Sequence, residues 1–148
     1  MKKINKQDGF TLIEILVVIG IIAILATIVL IAINPARQFR QARDTQRVSN
    51  INAILNAVGQ YVADNKGTIP AEITTTKEDI DGDEANLCSA LVPKYLPALT
   101  FDPGATAVDC LTVAYDTNYA IQKDANGRIT VFADGEEPAG VDNITVTR

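Results

Sequence analysis

The sequence contains no histidine and no tryptophan, and only 5% of its 148 residues are aromatic. Without histidine there can be neither a histidine general base nor a histidine-ligated metal site. No nucleophile–base set stands out among the other residues, so the sequence predicts a protein that is not an enzyme. A pair of carboxylates brought together by folding is the one catalytic arrangement that this reasoning leaves open.

One long stretch is almost free of charge. From Phe10 to Ile33 the only charged residue is Glu14. A helix of this length, rising 1.5 Å per residue, would measure about 36 Å, whereas a hydrocarbon core is about 30 Å thick. The stretch therefore predicts a membrane-spanning helix.

Glu14 is unusual within this apolar stretch. A carboxylate costs roughly 2.5–3.5 kcal/mol at the middle of a membrane and less towards its edge. One interpretation is a glutamate at the start of a helix, at headgroup depth, where the helix dipole favours it. The other is a functional role, because a buried charge needs a partner. The helix alone does not decide between the two.

The residues before the apolar run form a short polar segment. Residues 1–9 contain three lysines and one aspartate, for a net charge of +2, and they end in Gly9. A secretory signal peptide is the alternative, but its apolar core should be about 7–15 residues long. This run is longer and ends at Asn34-Pro35. Basic residues flank both of its ends, so charge alone leaves the membrane orientation ambiguous.

The segment from Gly9 to Glu14 reads Gly-Phe-Thr-Leu-Ile-Glu. Together with the polar leader and the apolar run, it resembles the class III signal of type IV prepilins and of the pseudopilins of type II secretion and DNA-uptake machines. The resemblance implies that a membrane aspartyl peptidase cuts between Gly9 and Phe10 and that Phe10 is then N-methylated. It also implies that Glu14 pairs with the amine of a neighbouring subunit during assembly.

The resemblance further implies a fold, partners and a location. The expected fold is α+β and pilin-like, with a long N-terminal helix packed on a small antiparallel sheet. The first half of that helix would span the membrane and the second half would be amphipathic. The expected partners are the prepilin peptidase and methylase, an assembly platform protein with its ATPase, the membrane, and copies of the chain itself. No cofactor is expected, and the chain would pass from the inner membrane to an extracytoplasmic filament or the cell surface.

The charge of the chain changes sign along its length. We expect a cleaved leader (1–9), a transmembrane and polymerisation helix (10–34), an amphipathic helical half (35–66) and an acidic globular head (67–148). Residues 35–66 carry +3 and residues 67–148 carry −9. Pro35 removes a backbone donor and disfavours helical geometry at Asn34, so a kink or a restart is expected there.

Apolar residues of the amphipathic half recur with helical spacing and form one stripe: Val48, Ile51, Leu55, Val58 and Val62. We expect this stripe to pack against a sheet of the same chain, because it is short for a coiled coil. Helix termination is expected at Gly67.

Four arginines, at positions 37, 40, 43 and 47, fall on roughly one face of the same helix. Three interpretations stay open for them: contact with solvent or lipid headgroups, contact with the acidic heads of neighbouring subunits, and binding to DNA. Arginines can neutralise phosphates, but no interleaved aromatic residues or recognition motif accompany these four. No specific nucleic-acid partner is therefore predicted.

An acidic run, Glu78 to Glu84, has five carboxylates in seven residues. Asp79, Asp81 and Asp83 alternate and could offer oxygens to Ca²⁺, and some of the pseudopilins that the chain resembles bind calcium. The match to an EF-hand loop is poor, because the glycine stands between the second and third aspartates and the glutamate follows at once. We expect a solvated acidic loop, with calcium as the weaker alternative.

Cys88 and Cys110 are the only cysteines. If the head lies outside the cytoplasm, they have an oxidising compartment and one possible intrachain partner each. Closing this loop would stabilise the head by roughly 3 kcal/mol in the chain-entropy model. The alternative is two free, buried thiols.

The remaining sequence predicts short strands at residues 111–115, 118–123, 128–133 and 143–147, the last at a sheet edge. Asp124 to Gly127 should form the hairpin turn between two of them, and residues 135–140 a second polar turn. The alternative function is a membrane-tethered extracytoplasmic binding module that does not polymerise.

Overall fold

The computed structural model describes residues 9–112 and 114–148. Its elements, in chain order, are helix α1 (Leu12–Ile33), helix α2 (Pro35–Asp64), strand β1 (Glu78–Asp81), the short helix α3 (Cys88–Leu91), and strands β2 (Asp116–Lys123), β3 (Ile129–Glu136) and β4 (Ala139–Thr147). The chain divides into two compact units, Met1–Gln38 and Phe39–Arg148. Residues 1–8 of the expected leader lie outside the described residues.

Helix α1 is made from the apolar run. None of its residues is buried, and its large apolar side chains are at least half exposed. Among the described residues it is the one helix that is long and apolar enough to cross a membrane. Apolar surface on this scale needs lipid or other protein to cover it.

The helical path is interrupted at Asn34, as the following proline predicts. Asn34 has a φ of 45°, and its side-chain oxygen accepts a hydrogen bond from the Arg37 backbone N–H at 3.3 Å. Proline costs no hydrogen bond at the first position of a helix, because the N–H there has no intrahelical partner. Asn34 thus caps α2, and Pro35 begins it.

Helix α2 ends at Asp64, two residues before the expected boundary. The Gly67 N–H donates a hydrogen bond to the Val62 carbonyl at 2.8 Å. Lys66 and Gly67 both have positive φ, at 57° and 87°. The predicted helix termination is therefore confirmed. Lys66 adopts the left-handed conformation that ends the helix, as Gly67 does.

The strands form one antiparallel sheet in the order β1-β2-β3-β4. The predicted hairpin between β2 and β3 is confirmed. Gly127 has a φ of 82°, and one Asp124 carboxylate oxygen accepts hydrogen bonds from the N–H groups of Asn126 and Arg128, each at 2.8 Å. Strand β4 lies at an edge, as predicted.

The core of the second unit lies between α2 and the sheet. Ile51, Leu55 and Val58 of the predicted stripe are buried, together with Ile54, whereas Val48 is 42% exposed. The same apolar cluster contains five residues of β2 and β3: Tyr119, Ile121, Ile129, Val131 and Ala133. The expected packing of the stripe on the sheet is confirmed.

Three local predictions were wrong. The acidic run is not all loop, because Glu78–Asp81 forms β1 around the fully buried Ile80. No strand is present among residues 111, 112, 114 and 115, the described part of another expected strand. Residues 135–140 are mostly strand rather than turn, since β3 runs to Glu136 and β4 starts at Ala139.

Candidate functional site

The expected cleavage position lies directly before α1. Gly9 and Phe10 are outside regular secondary structure and exposed to solvent, and Phe10 is 84% exposed. Thr11 follows as the N-cap of α1 in an extended conformation. A bond in such a segment is accessible to a peptidase, because no helix or sheet has to open first.

Glu14 closes a capping box at the start of α1. The backbone N–H and the hydroxyl of Thr11 both donate to Glu14 Oε2 at 2.8 Å. In return, the Glu14 N–H donates to Thr11 Oγ1 at 3.3 Å. This reciprocal pair satisfies N–H groups that the helix leaves unpaired. Glu14 therefore has a structural role within one chain, and its pairing with a neighbouring subunit stays a prediction.

In the second unit, Arg47 is a buried cation surrounded by carboxylates. Its Nε lies 2.5 Å from Asp102 Oδ2, its Nη1 2.7 Å from Asp44 Oδ1, and its Nη2 2.8 Å from Glu136 Oε1. A buried charge of this kind is tolerated only when it is paired and hydrogen-bonded.

The same charge network holds the turn between β3 and β4 against α2. The Asp44 carboxylate accepts hydrogen bonds from the backbone N–H groups of Glu136 and Glu137, at 2.9 and 2.8 Å. Arg40 pairs with Glu137 at 3.0 Å, and Arg43 pairs with Glu136. Helix and hairpin are thus joined by backbone and side-chain contacts together.

These contacts lower the pKa values of the carboxyl groups. Hydrogen bonds from Arg43 and then from Arg47 lower the pKa of Glu136 to about 2. Burial acts to raise the pKa of Asp44, but the backbone N–H groups of Glu136 and Glu137 outweigh it and the pKa is lowered. Both groups therefore stay ionised at neutral pH.

None of the three interpretations of the arginines foresaw these contacts. Arg40, Arg43 and Arg47 bind carboxylates of their own chain, and those of Asp102 and Glu136 lie far away in sequence. The nearest available signal was Asp44, one helical turn before Arg47, which sequence reasoning did not use.

In the acidic run, the carboxylates of Asp81 and Glu84 accept hydrogen bonds from backbone N–H groups of the run itself. Asp81 Oδ1 accepts hydrogen bonds from the N–H groups of Asp83 and Glu84, at 2.8 and 2.6 Å. Burial raises the pKa of Asp79, and the neighbouring charges of Glu84 and Asp116 raise it further. Within the described ranges, no group of three or more acidic or cysteine side chains is arranged to hold a metal ion. Calcium binding at Asp79, Asp81 and Asp83 stays an untested prediction.

Cys88 and Cys110 are joined in a disulfide, with their Cα atoms 5.9 Å apart. The loop that the bond closes contributes Leu91, Leu99 and Phe101 to the apolar core. The bond therefore ties a segment with little regular structure to the centre of the second unit.

Comparison with known proteins identifies the N-terminal segment. Residues 4–30 match the family model described as the prokaryotic N-terminal methylation motif. This motif is the prepilin-type signal of type IV pilins and pseudopilins, so the resemblance is confirmed for this part of the chain. No curated protein and no solved structure matches the chain.

Proposed function

We propose that the chain is a structural subunit of a type IV pilus or of a pseudopilus-like filament. A membrane peptidase cleaves it after Gly9, the new terminus at Phe10 is N-methylated, and the processed chain is drawn from the membrane and polymerised. The observation that carries this proposal is the match of residues 4–30 to the methylation motif, which overlaps most of α1. Chemistry is done to this protein rather than by it.

The surface of α1 supports two successive environments for the helix. Its apolar side chains face outward on all sides, and none of the described residues buries them. Lipid covers this surface while the chain is a single-pass membrane protein. Copies of the same helix cover it after the chain leaves the lipid, and the filament is then extracytoplasmic or on the cell surface.

Glu14 would have two roles in this proposal. In the single chain it caps α1 through Oε2, which receives both hydrogen bonds from Thr11. In the filament its negative charge would pair with the α-amine at Phe10 of a neighbouring subunit, because a buried carboxylate and a buried ammonium group each need a partner. The other partners are the prepilin peptidase and methylase, and an assembly ATPase acting through a platform protein.

Two substitutions at Glu14 separate these roles. Glu14→Gln keeps an oxygen that can accept the Thr11 hydrogen bonds, since glutamine also closes a capping box, but it removes the charge. Glu14→Ala removes both. We expect both variants to insert in the membrane and both to give far fewer filaments than the unmodified chain. The yield is measured by shearing filaments from cells and quantifying the protein in the sheared fraction.

The filament yields of the two variants distinguish the role of the charge from the role of the helix cap. If Glu14→Gln assembles normally while Glu14→Ala does not, the glutamate acts as a helix cap and the charge pairing is wrong. Normal filaments from both variants would remove Glu14 from the assembly mechanism altogether.

A further inference from the structure

A groove of about 740 Å³ runs between α2, the segment that follows it and the turn between β2 and β3. Its lining includes Asn56, Gly59, Gln60, Ala63, Asn126 and Arg148. All six of these residues are exposed, so the groove is open to a partner.

The α2 side of this groove has the composition of a contact surface rather than of a solvated one. Residues 48–63 contain no charged residue, although 21% of the whole sequence is charged. Gly59 stands in the middle of the helix, where a Cβ would meet nothing within 4 Å. Glycine disfavours a helix interior, and no atom of this chain needs the space. Interfaces are depleted of charge at their centre and admit close backbone approach at glycine.

Arg148 adds one fixed positive charge to the groove. Its Nη2 donates to Asn52 Oδ1 at 2.9 Å, its Nη1 donates to Asn56, and its backbone pairs with Ile129. None of the described residues lining the groove has an acidic side chain. The guanidinium is therefore held in place by amide oxygens, with no acidic side chain beside it in the groove.

The opposite charge is concentrated elsewhere on the same unit, at the end of β1 and in the bend that follows it, residues 79–84, here named the acidic turn. Asp79, Asp83 and Glu84 are exposed. In the described part of the chain, no salt bridge neutralises Asp83 or Glu84. The acidic turn therefore offers unneutralised carboxylates on a surface separate from the groove.

We infer that the groove beside α2 docks the acidic turn of a second copy of this chain. The inference rests on the proposed function, since it names a contact between heads of neighbouring subunits. Charge complementarity selects this occupant: the groove presents a cation and the turn presents carboxylates. Because the two surfaces are different, each subunit can use both at once, and such a heterologous contact extends into a filament when it does not close into a ring.

Paired cysteines in the full-length chain test the contact. Gln60→Cys lies in the groove and Asp83→Cys lies in the acidic turn, and the native cysteines are already joined to each other. The double variant is expressed in cells with a matching prepilin peptidase and assembly machinery, and its filaments are oxidised and run without reductant. A ladder of covalent oligomers is expected. The matched control, Gln60→Cys with Thr147→Cys, should give no ladder.

Charge substitutions test the same contact without cysteines. Arg148→Glu should lower filament yield by about fivefold, the upper end of what one exposed ion pair contributes, whereas Arg148→Lys keeps the charge and most of the yield. Combining Arg148→Glu with Asp83→Arg should restore the yield.

The outcomes separate this inference from the proposed function. Filaments that give no ladder, or that give an equal ladder with the control pair, would show that the inferred contact is wrong. The proposal that the chain is a filament subunit would be unaffected. A cross-link to a different protein also overturns it, because the occupant is then not a second copy. Unprocessed chain without filaments overturns both.

Discussion

Arg47 shows how one buried residue joins three separate parts of the second unit. Its guanidinium contacts Asp102 in the loop before β2, Asp44 on α2 and Glu136 at the end of β3. A point charge such as lysine cannot reproduce this arrangement, because only the planar fork of arginine offers several donors in fixed directions. The packing of these three parts therefore depends on this side chain.

Replacing Arg47 by methionine should strongly destabilise the second unit. The substitution keeps much of the volume but leaves carboxylates buried without a cation, and removing one partner of a buried ion pair typically costs about 3–5 kcal/mol. The check is denaturant unfolding of the full-length protein in detergent. Arg128→Met is the matched control, since among the described residues Arg128 forms its ion pair with Asp124 alone, on the surface, and the variant should lose much less stability. Equal effects in the two variants would contradict the role of Arg47.

Acid should weaken the fold through Glu136. Its folded pKa of about 2 lies below the ordinary value of about 4.3. A depressed pKa gives stability that is fully present above the unfolded value and is lost as the pH falls through the folded value. The free energy of unfolding should therefore fall between about pH 5 and pH 2. The Glu136→Gln variant should be less stable at pH 7 and should lose less over that range; an unchanged pH dependence would contradict this account.

At the scale of elements, the disulfide and the β3–β4 hairpin hold the irregular parts of the head. Asn143 braces the end of the hairpin: its Oδ1 accepts from the Gly135 N–H and its Nδ2 donates to the Pro138 carbonyl, both at 2.6 Å. Asn143 also begins an Asn-Ile-Thr glycosylation sequon. Its amide nitrogen, the atom to which a glycan would be attached, is engaged in this structural contact.

Opening the disulfide should lower stability without abolishing α2 and the sheet. Replacing Cys88 and Cys110 together by alanine should cost about 2–5 kcal/mol, the usual range for a native disulfide. The unfolding midpoint of the unmodified protein should fall on reduction, while that of the double variant should not respond to reductant. A midpoint that reduction leaves unchanged would show that the loop holds itself in place by packing.

The sequence correctly predicted those features that depend on residues close together in the chain. The Asn126-Gly127 turn, the interruption at Asn34-Pro35 and the stripe on α2 depend on neighbouring residues only, and the structure contains each of them. Strand β1 was missed because Ile80 is its single buried residue and carboxylates stand on both sides of it. The acidic sequence gives no sign that this segment pairs with β2. The partners of Arg40, Arg43 and Arg47 were missed because folding brings them from β3, the following turn and a distant loop, and no spacing rule covers such distances.

Over the whole molecule, an apolar helix is followed by a basic helical segment and then by an acidic head. Residues 67–148 carry −9 and residues 35–66 carry +3. Ion pairs of Arg40, Arg43 and Arg47 with Glu136 and Glu137 neutralise part of this charge within one chain. In the described part of the chain, Asp83, Glu84 and Arg148 take no part in these ion pairs.

The proposed function depends first of all on processing of the N-terminal motif. Its most direct test is the intact mass and N-terminal sequence of the protein isolated from cells that contain a matching prepilin peptidase. We expect a chain that begins at Phe10 and carries one added methyl group. A chain that still begins at Met1 would contradict the claim, remove the main support of the filament proposal and favour a membrane-tethered module that does not polymerise.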